Sequence, residues 1–117
     1  MMREMLKSKI HRATVTDANL AYEGSITIDP ALMQLADIRE FEKVQVVDLN
    51  NGERFETYCI RGKKPGNGEI CVNGAASRLV QIGDLVIIMA FTWLEDADSA
   101  NFSQKIVRVT AENKPVE

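Results

Sequence analysis

Short strand-like segments separated by turn residues restrict the fold of this sequence more than any other feature. About six or seven such segments, rich in β-branched and apolar residues, follow one another with turn signals every 8–12 residues or so. Asn50-Asn51-Gly52 is the strongest turn, because asparagine and glycine tolerate positive φ. Regular short strands of this kind are typical of sandwiches and barrels, and we predict a mainly β fold, a closed β-barrel.

One or two short helices complete the prediction. Asp29 is a suitable N-cap and Pro30 a suitable first helical residue, so a helix is expected to run to Ala36 with Leu32, Leu35 and Ala36 on one face. A helical turn is expected over 75–80, a turn or connector over 17–20, and a frayed tail from 111 onwards. The predicted strands cover 9–16, 25–29, 44–49, 54–60, 69–72, 84–92 and 105–110.

Length and charge exclude several classes of protein. The 117 residues suffice for one domain, 1–117, and the net charge of −3 lacks the basic surface that binding to nucleic acid needs. The longest apolar run, 85–91, is strand-sized, which indicates no membrane span. Cys59 and Cys71 have neither metal-ligand spacing nor a disulfide pattern, and only one histidine is present. We therefore expect a cytoplasmic protein with reduced thiols and no metal site.

A glycine–serine pair precedes one of the predicted strands. Ser25 begins an alternating segment, and Gly24 comes directly before it. Such a pair usually marks a turn or the start of a strand. A second hypothesis is self-cleavage, because a serine hydroxyl can attack the preceding carbonyl when the peptide is held under strain and its oxygen is polarised.

Three further groups of residues could serve a site. Arg54 could bind a carboxylate in bidentate fashion, Thr57 could donate to a carbonyl, and Tyr58 could supply a proton. Strand alternation places Thr57 on the face opposite Arg54 and Tyr58, so using both faces requires twist or a bulge. The other hypothesis is an ordinary surface strand.

Lys9 and His11 share one face of the first strand, where they form either a solvated edge or a cationic pair for an anionic substrate. The run Asn73, Gly74, Ala75 and Ala76 either caps a helix or offers backbone N–H groups to an anion.

The order of these motifs along the chain resembles the pyruvoyl-dependent aspartate decarboxylases of bacteria. The resemblance extends over roughly residues 1–110 and rests on five segments found in register. They are Lys9-Ile10-His11-Arg12, Tyr22-Glu23-Gly24-Ser25, the stretch 51–58, the stretch 72–76, and Gly83-Asp84 with its apolar strand. The loosest matches are 79–80 and the tail after 105.

The resemblance implies a double-psi β-barrel that assembles as a homotetramer with active sites between subunits. It implies self-cleavage between Gly24 and Ser25 into chains 1–24 and 25–117, the larger of which begins with a pyruvoyl group made from Ser25. That group replaces pyridoxal phosphate as the electron sink, with no metal. The implied reaction converts L-aspartate to β-alanine and CO2 for pantothenate and coenzyme A synthesis, and an accessory protein promotes maturation in some members.

The resemblance also implies roles for single residues. Arg54 and Lys9 would bind substrate carboxylates with help from His11, and Tyr58 would return a proton to the carbanion. Thr57 would polarise the Gly24 carbonyl during self-cleavage. The four-residue run Asn73, Gly74, Ala75 and Ala76 would line the pocket.

Two alternatives stay open at the level of sequence. One is a pyruvoyl-dependent decarboxylase of another amino acid, because a list of cationic side chains does not fix substrate length. The other is a non-enzymatic barrel regulator, against which the net charge of −3 argues. Val47 stands where members often carry an aromatic residue, so the pocket edge is expected to differ slightly.

Overall fold

Eight β-strands form one hydrogen-bonded sheet in the computed structural model, which describes residues 1–116. The strands are β1 (Met2–Thr14), β2 (Asp17–Asn19), β3 (Ser25–Ile28), β4 (Lys43–Asp48), β5 (Arg54–Arg61), β6 (Ile70–Asn73), β7 (Leu85–Glu95) and β8 (Lys105–Arg108). The helices are α1 (Pro30–Ala36), a 3₁₀ helix (Gly74–Leu79) and α2 (Asp96–Ser99). The prediction of a mainly β protein with few short helices is confirmed.

The order of strands across the sheet is β2-β6-β3-β5-β4-β7-β1-β8. The pairs β2–β6, β3–β5 and β1–β8 are parallel, whereas β3–β6, β4–β5, β4–β7 and β1–β7 are antiparallel. This mixed order, with sequence neighbours often far apart, is consistent with the double-psi barrel that the resemblance implies. It also leaves three strands between β3 and β1, a separation that matters for the site.

Alternating apolar side chains build the core. Ile26 and Ile28 of β3 and Val86 and Ile88 of β7 have no solvent exposure, because every second residue of a strand points to the same face. Strand β7 lies between β4 and β1, as expected for the most apolar segment.

Helix α1 begins as predicted but presents a different face to the core. The Asp29 carboxylate accepts the N–H of Ala31 at 2.9 Å, and Pro30 is the first helical residue. Leu32, Met33 and Ala36 are buried, whereas Leu35 is 49% exposed. The prediction for Leu35 was wrong. With the helical period, the face that contains residues 29, 32 and 36 also contains residue 33, whereas residue 35 lies beside that face and points towards solvent.

Strand β2 and the tail depart from the sequence-based expectation. The connector expected over 17–20 contains β2, which is stabilised by parallel pairing with β6 rather than by strand propensity. The tail is not frayed over residues 111–116: Asn113 is buried and donates from its Nδ2 to the carbonyls of Thr14 and Gly68, both at 2.8 Å. Its Oδ1 also accepts the N–H of Thr14 at 2.7 Å.

Strand β1 starts seven residues earlier than expected, at Met2, because its first half pairs with the end of β7. Helix α2 was not predicted. None of the helices formed by residues 1–116 is long and apolar enough to cross a bilayer.

Candidate active site

Ser25 begins β3 and is almost completely enclosed. Its side chain is 1% exposed, and its backbone pairs with Asn73 across the antiparallel β3–β6 ladder. Gly24, directly before it, is exposed, and its φ lies outside the left-handed region. A Cβ built on Gly24 would meet no atom within 4 Å, so neither handedness nor crowding requires glycine here.

A hydrogen-bonded chain fixes the Ser25 hydroxyl. Asn73 Nδ2 donates to Ser25 Oγ at 2.9 Å and to Thr27 Oγ1 at 3.0 Å, and Ser25 Oγ donates to the Glu23 carbonyl at 3.2 Å. The Cys71 thiol in turn donates to Asn73 Oδ1 at 3.1 Å. All of these atoms face one side of the sheet, because Ser25 and Thr27 alternate with buried Ile26. A serine hydroxyl beside its own peptide is thus held in one orientation.

Gly74 packs against the glycine of the Gly24–Ser25 peptide. It has a φ of +71°, and a Cβ built on it would lie 2.6 Å from Gly24 Cα and 2.8 Å from Gly24 N. Only glycine therefore allows the two backbones to approach this closely. Asn73 is the N-cap residue of the 3₁₀ helix that follows, as the capping hypothesis expects, but its side chain makes no cap hydrogen bond to that helix. Ala75 is exposed and Ala76 half-buried at the start of that helix.

Thr57 and Tyr58 line one shallow cavity together with Lys43 and Glu56. The cavity volume is about 280 Å³. Three consecutive residues of β5 reach it, so the opposite faces expected from alternation do not keep Thr57 and Tyr58 apart. The Tyr58 ring also packs against Phe41, with ring centroids 6.4 Å apart.

Tyr58 lies on the strand next to Ser25. Strands β3 and β5 are parallel, with Ile26 in register with Cys59. Ser25 and Tyr58 each precede that pair by one residue, so they lie at the same level on neighbouring strands. Among the predicted residues, the fold therefore gathers Ser25, Asn73, Gly74 and Tyr58 in one region of the sheet.

Lys9 and His11 lie elsewhere in the strand order. Both belong to β1, which β5, β4 and β7 separate from β3, and His11 is in register with Arg108 of β8. Arg54 begins β5, is exposed, and donates from Nη1 to Gln45 Oε1 at 3.0 Å. Within residues 1–116, no hydrogen bond or ion pair joins any of these three side chains to Ser25.

The electrostatics of His11 favour its neutral form. Burial of the ring lowers the His11 pKa first, and the positive charges of Lys9, Arg108 and Arg12 lower the pKa further. Its Nδ1 atom is buried and has no hydrogen-bond partner among the described residues. An anion bound between these cations would offset their effect on the His11 pKa and would give Nδ1 a hydrogen-bond partner.

Two polar residues of the site were not singled out from the sequence. Thr27 lies two residues from Ser25 and Cys71 two residues from Asn73, on the same faces of their strands, so period-2 spacing was the signal that could have found them.

A cavity of about 400 Å³ lies beside Thr27 and is also lined by Ile60 and the basic residues Arg61, Lys63 and Lys64. No group of three or more His, Cys, Asp or Glu side chains within 1–116 could hold a metal ion.

Fold and site define a small mainly β protein in which a buried serine is held, behind a glycine, at the start of a strand. A sequence model of the aspartate decarboxylase family matches residues 1–116. The chain belongs to the aspartate decarboxylase family, which makes it an enzyme of the lyase class, and the predicted family is confirmed.

Three relatives, each named aspartate 1-decarboxylase, show how closely the chain follows this family. The protein of Caldicellulosiruptor bescii is 63% identical over 99% of this chain and 90% of its own. That of Kosmotoga olearia is 62% identical over 100% and 99%. That of Thermoanaerobacter pseudethanolicus is 57% identical over 99% and 98%. A non-enzymatic regulator is excluded.

Proposed function

We propose that this chain is a self-processing, pyruvoyl-dependent enzyme that converts L-aspartate to β-alanine and CO2 in the cytoplasm, on the route to pantothenate and coenzyme A. The observation that carries the proposal is the Ser25 hydroxyl, which is buried and fixed beside the Gly24–Ser25 peptide by Asn73. The printed names of the relatives support aspartate as the substrate.

Self-processing would begin at Ser25 Oγ. This atom attacks the Gly24 carbonyl carbon, the C–N bond breaks, and the hydroxyl proton passes to the Ser25 nitrogen, leaving an ester. Thr57 would polarise the carbonyl oxygen during the attack. Removal of the Ser25 Cα proton then breaks the Cβ–Oγ bond, releases chain 1–24 as a carboxylate, and leaves dehydroalanine. One water enters, one ammonia leaves, and chain 25–117 begins with a pyruvoyl ketone.

The surroundings of Ser25 fit a group formed in place. The side chain is already enclosed, and Asn73 supplies an amide that can donate to an oxygen at this position. Gly74 carries no side chain where Gly24 packs against it, so no side chain crowds the Gly24–Ser25 peptide from that side. A pyruvoyl ketone supplies the electron sink that loss of the α-carboxylate of aspartate requires.

Binding of the substrate would fall to the cationic residues. Arg54 and Lys9 would bind the two carboxylates, and His11 would accept or donate a hydrogen bond through its unpartnered Nδ1. Tyr58, level with Ser25 on the next strand, would return a proton to the carbon that lost CO2. Asn73, Gly74, Ala75 and Ala76 would line the pocket.

A site shared between subunits would bring these groups together. Three strands separate Lys9 and His11 from Ser25 in the sheet, and within residues 1–116 the Arg54 side chain hydrogen-bonds only to Gln45. A homotetramer that places β1 or the start of β5 of one copy against β3 of another would complete the pocket. An accessory maturation protein, as in some family members, would act on the intact Gly24–Ser25 peptide.

Product analysis tests the proposal. Purified protein incubated with L-aspartate is expected to form β-alanine and CO2 in equal amounts, and prior reduction with borohydride is expected to abolish turnover by removing the ketone. The Ser25→Ala variant is the matched control without a ketone. Turnover of L-glutamate or another amino acid in preference to aspartate would favour the other-substrate alternative. Aspartate turnover that survives both borohydride and Ser25→Ala would overturn the proposal.

A further inference from the structure

Asn73 can hold Ser25 correctly in only one of the two orientations of its side-chain amide. The Ser25 hydroxyl has a single proton, which it donates to the Glu23 carbonyl. Ser25 Oγ can therefore only accept from Asn73, as it does from Nδ2 at 2.9 Å. A flipped amide would turn Oδ1 towards Ser25 Oγ, and the hydroxyl would have to give up its bond to the Glu23 carbonyl to place its proton between the two oxygens.

The contact on the far side of the amide favours the same orientation. Cys71 lies two residues before Asn73 on β6, on the same face, and its thiol donates to Asn73 Oδ1 at 3.1 Å. Thr27 does not decide the matter, because a hydroxyl can both donate and accept. In the flipped orientation the thiol would face an N–H group, to which it offers only a weak acceptor.

We propose that Cys71 is a positioning residue for cleavage of the Gly24–Ser25 peptide: its thiol fixes the Asn73 amide in the orientation that donates to Ser25 Oγ. The inference rests on the proposed self-processing and adds a residue to it. Cys71 is 7% exposed and free of any disulfide, so the donor is permanently in place. Burial and nearby carboxylates raise the Cys71 pKa to about 11, which keeps the thiol protonated at neutral pH.

Two substitutions of nearly equal size isolate the donor. Cys71→Ser keeps a hydrogen-bond donor and Cys71→Ala removes it, while both leave a similar space. Freshly purified precursors are incubated, and the fraction cleaved at Gly24–Ser25 is followed by intact mass. Cys71→Ala is expected to slow cleavage about fivefold or more, in line with the loss of one hydrogen bond, and Cys71→Ser is expected to restore most of the rate.

Controls separate positioning from folding. Cys59→Ala removes the other buried thiol, which is not part of the hydrogen-bonded chain from Cys71 through Asn73 to Ser25, and is expected to cleave at the normal rate. Cys71→Val, which fills the space without a donor, serves if Cys71→Ala does not fold, and is expected to be slow as well. Normal cleavage in a folded donor-free variant, or a folded Cys71→Ser variant as slow as Cys71→Ala, would overturn the inference. Failure of the unsubstituted protein to cleave would instead count against the proposed self-processing.

Discussion

At the contact between Gly74 and Gly24, one missing side chain decides how two segments of backbone meet. The left-handed φ of Gly74 disfavours a side chain, and a Cβ built there would lie only 2.6 Å from Gly24 Cα. The same contact lies next to the peptide that would be cleaved. A side chain at position 74 would therefore affect self-cleavage by shifting Gly24, without changing any reacting group.

The Gly74→Ala variant is expected to cleave at least about tenfold more slowly, because the new methyl group displaces Gly24 from Ser25 Oγ. Gly83→Ala is the matched control: its φ is +96°, so the backbone strain is similar, but a Cβ there meets nothing within 4 Å. The rate of chain splitting by intact mass, with Tm as a check on folding, distinguishes the two. Equal cleavage rates in both variants would contradict the role of the contact.

The buried Cys59 thiol makes stability depend on alkaline pH. Burial, with a smaller effect from Glu42, raises its pKa from 9.0 to about 12. The unfolded chain therefore releases this proton first, and the thiol's contribution, complete below pH 9, is lost as pH rises from 9 towards 12. The free energy of unfolding should fall by about 1.4 kcal/mol per pH unit from this group.

Urea unfolding at pH 8, 9 and 10 measures that dependence. In the Cys59→Ala variant this part of the slope should be absent, while slopes from other groups remain. Identical pH dependence in both proteins would show that the thiol ionises equally in the folded and unfolded chains.

The sequence indicated most residues of the candidate site but not how they are held. Gly24, Ser25 and Asn73 stood out through their motifs. Cys71 and Thr27 did not, because a cysteine and a threonine in a strand are ordinary core and β-forming residues. The lowered pKa of His11 could not be predicted from the sequence either, since Arg108, one of its causes, is brought next to His11 by the parallel pairing of β1 with β8.

At the scale of elements, one carboxylate joins a helix to a loop. Asp29 Oδ1 accepts the N–H groups of Ala31 and Gly66 at 2.9 and 2.8 Å, and Oδ2 accepts that of Gly68 at 2.9 Å. The sequence predicted that Asp29 caps α1. It did not predict that the same carboxylate also holds the 63–68 loop. That second role joins residues 29 and 66, which are distant in sequence, so no local sequence pattern indicates it.

Asp29→Ala is expected to lower the free energy of unfolding by about 3 kcal/mol, because it removes a cap and leaves buried N–H groups without acceptors. Asp29→Asn should lose less, since Oδ1 still accepts and only the Gly68 N–H faces an amide nitrogen. Urea titrations of the two variants measure the difference. A loss below about 1 kcal/mol for the alanine variant would mean that the loop bonds contribute nothing beyond the cap.

Long-range pairing also explains the elements that were missed. Strand β2 has three residues and no strand-forming composition, and it exists because β6 pairs with it. The tail is ordered by Asn113, whose partners are 99 and 45 residues away. Alternation and turn residues reveal segments such as β7, whereas partners distant in sequence have to be seen in the structure.

At the scale of the whole molecule, the proposal of a shared site implies that residues of two copies of the chain complete each pocket. Two inactive variants should therefore complement each other when they are coexpressed. Ser25→Ala retains Arg54, and Arg54→Ala retains Ser25, so mixed tetramers contain some intact sites. Random mixing predicts about a quarter of normal aspartate turnover.

Coexpression of Ser25→Ala with Asn73→Ala is the matched control, because Ser25 and Asn73 bond within one chain and no intact site can form. It should remain inactive. Failure of the first pair to regain activity, with mixed tetramers present, would mean that Arg54 acts within its own subunit or not at all.

The central claim is that Ser25 cleaves its own peptide bond and becomes a ketone, and denaturing intact mass tests it most directly. The account predicts two chains, 1–24 and 25–117, with the larger lighter by one ammonia than a chain that starts with serine. A single unbroken chain that persists after heating and after addition of a maturation factor, in a protein that still decarboxylates aspartate, would contradict it.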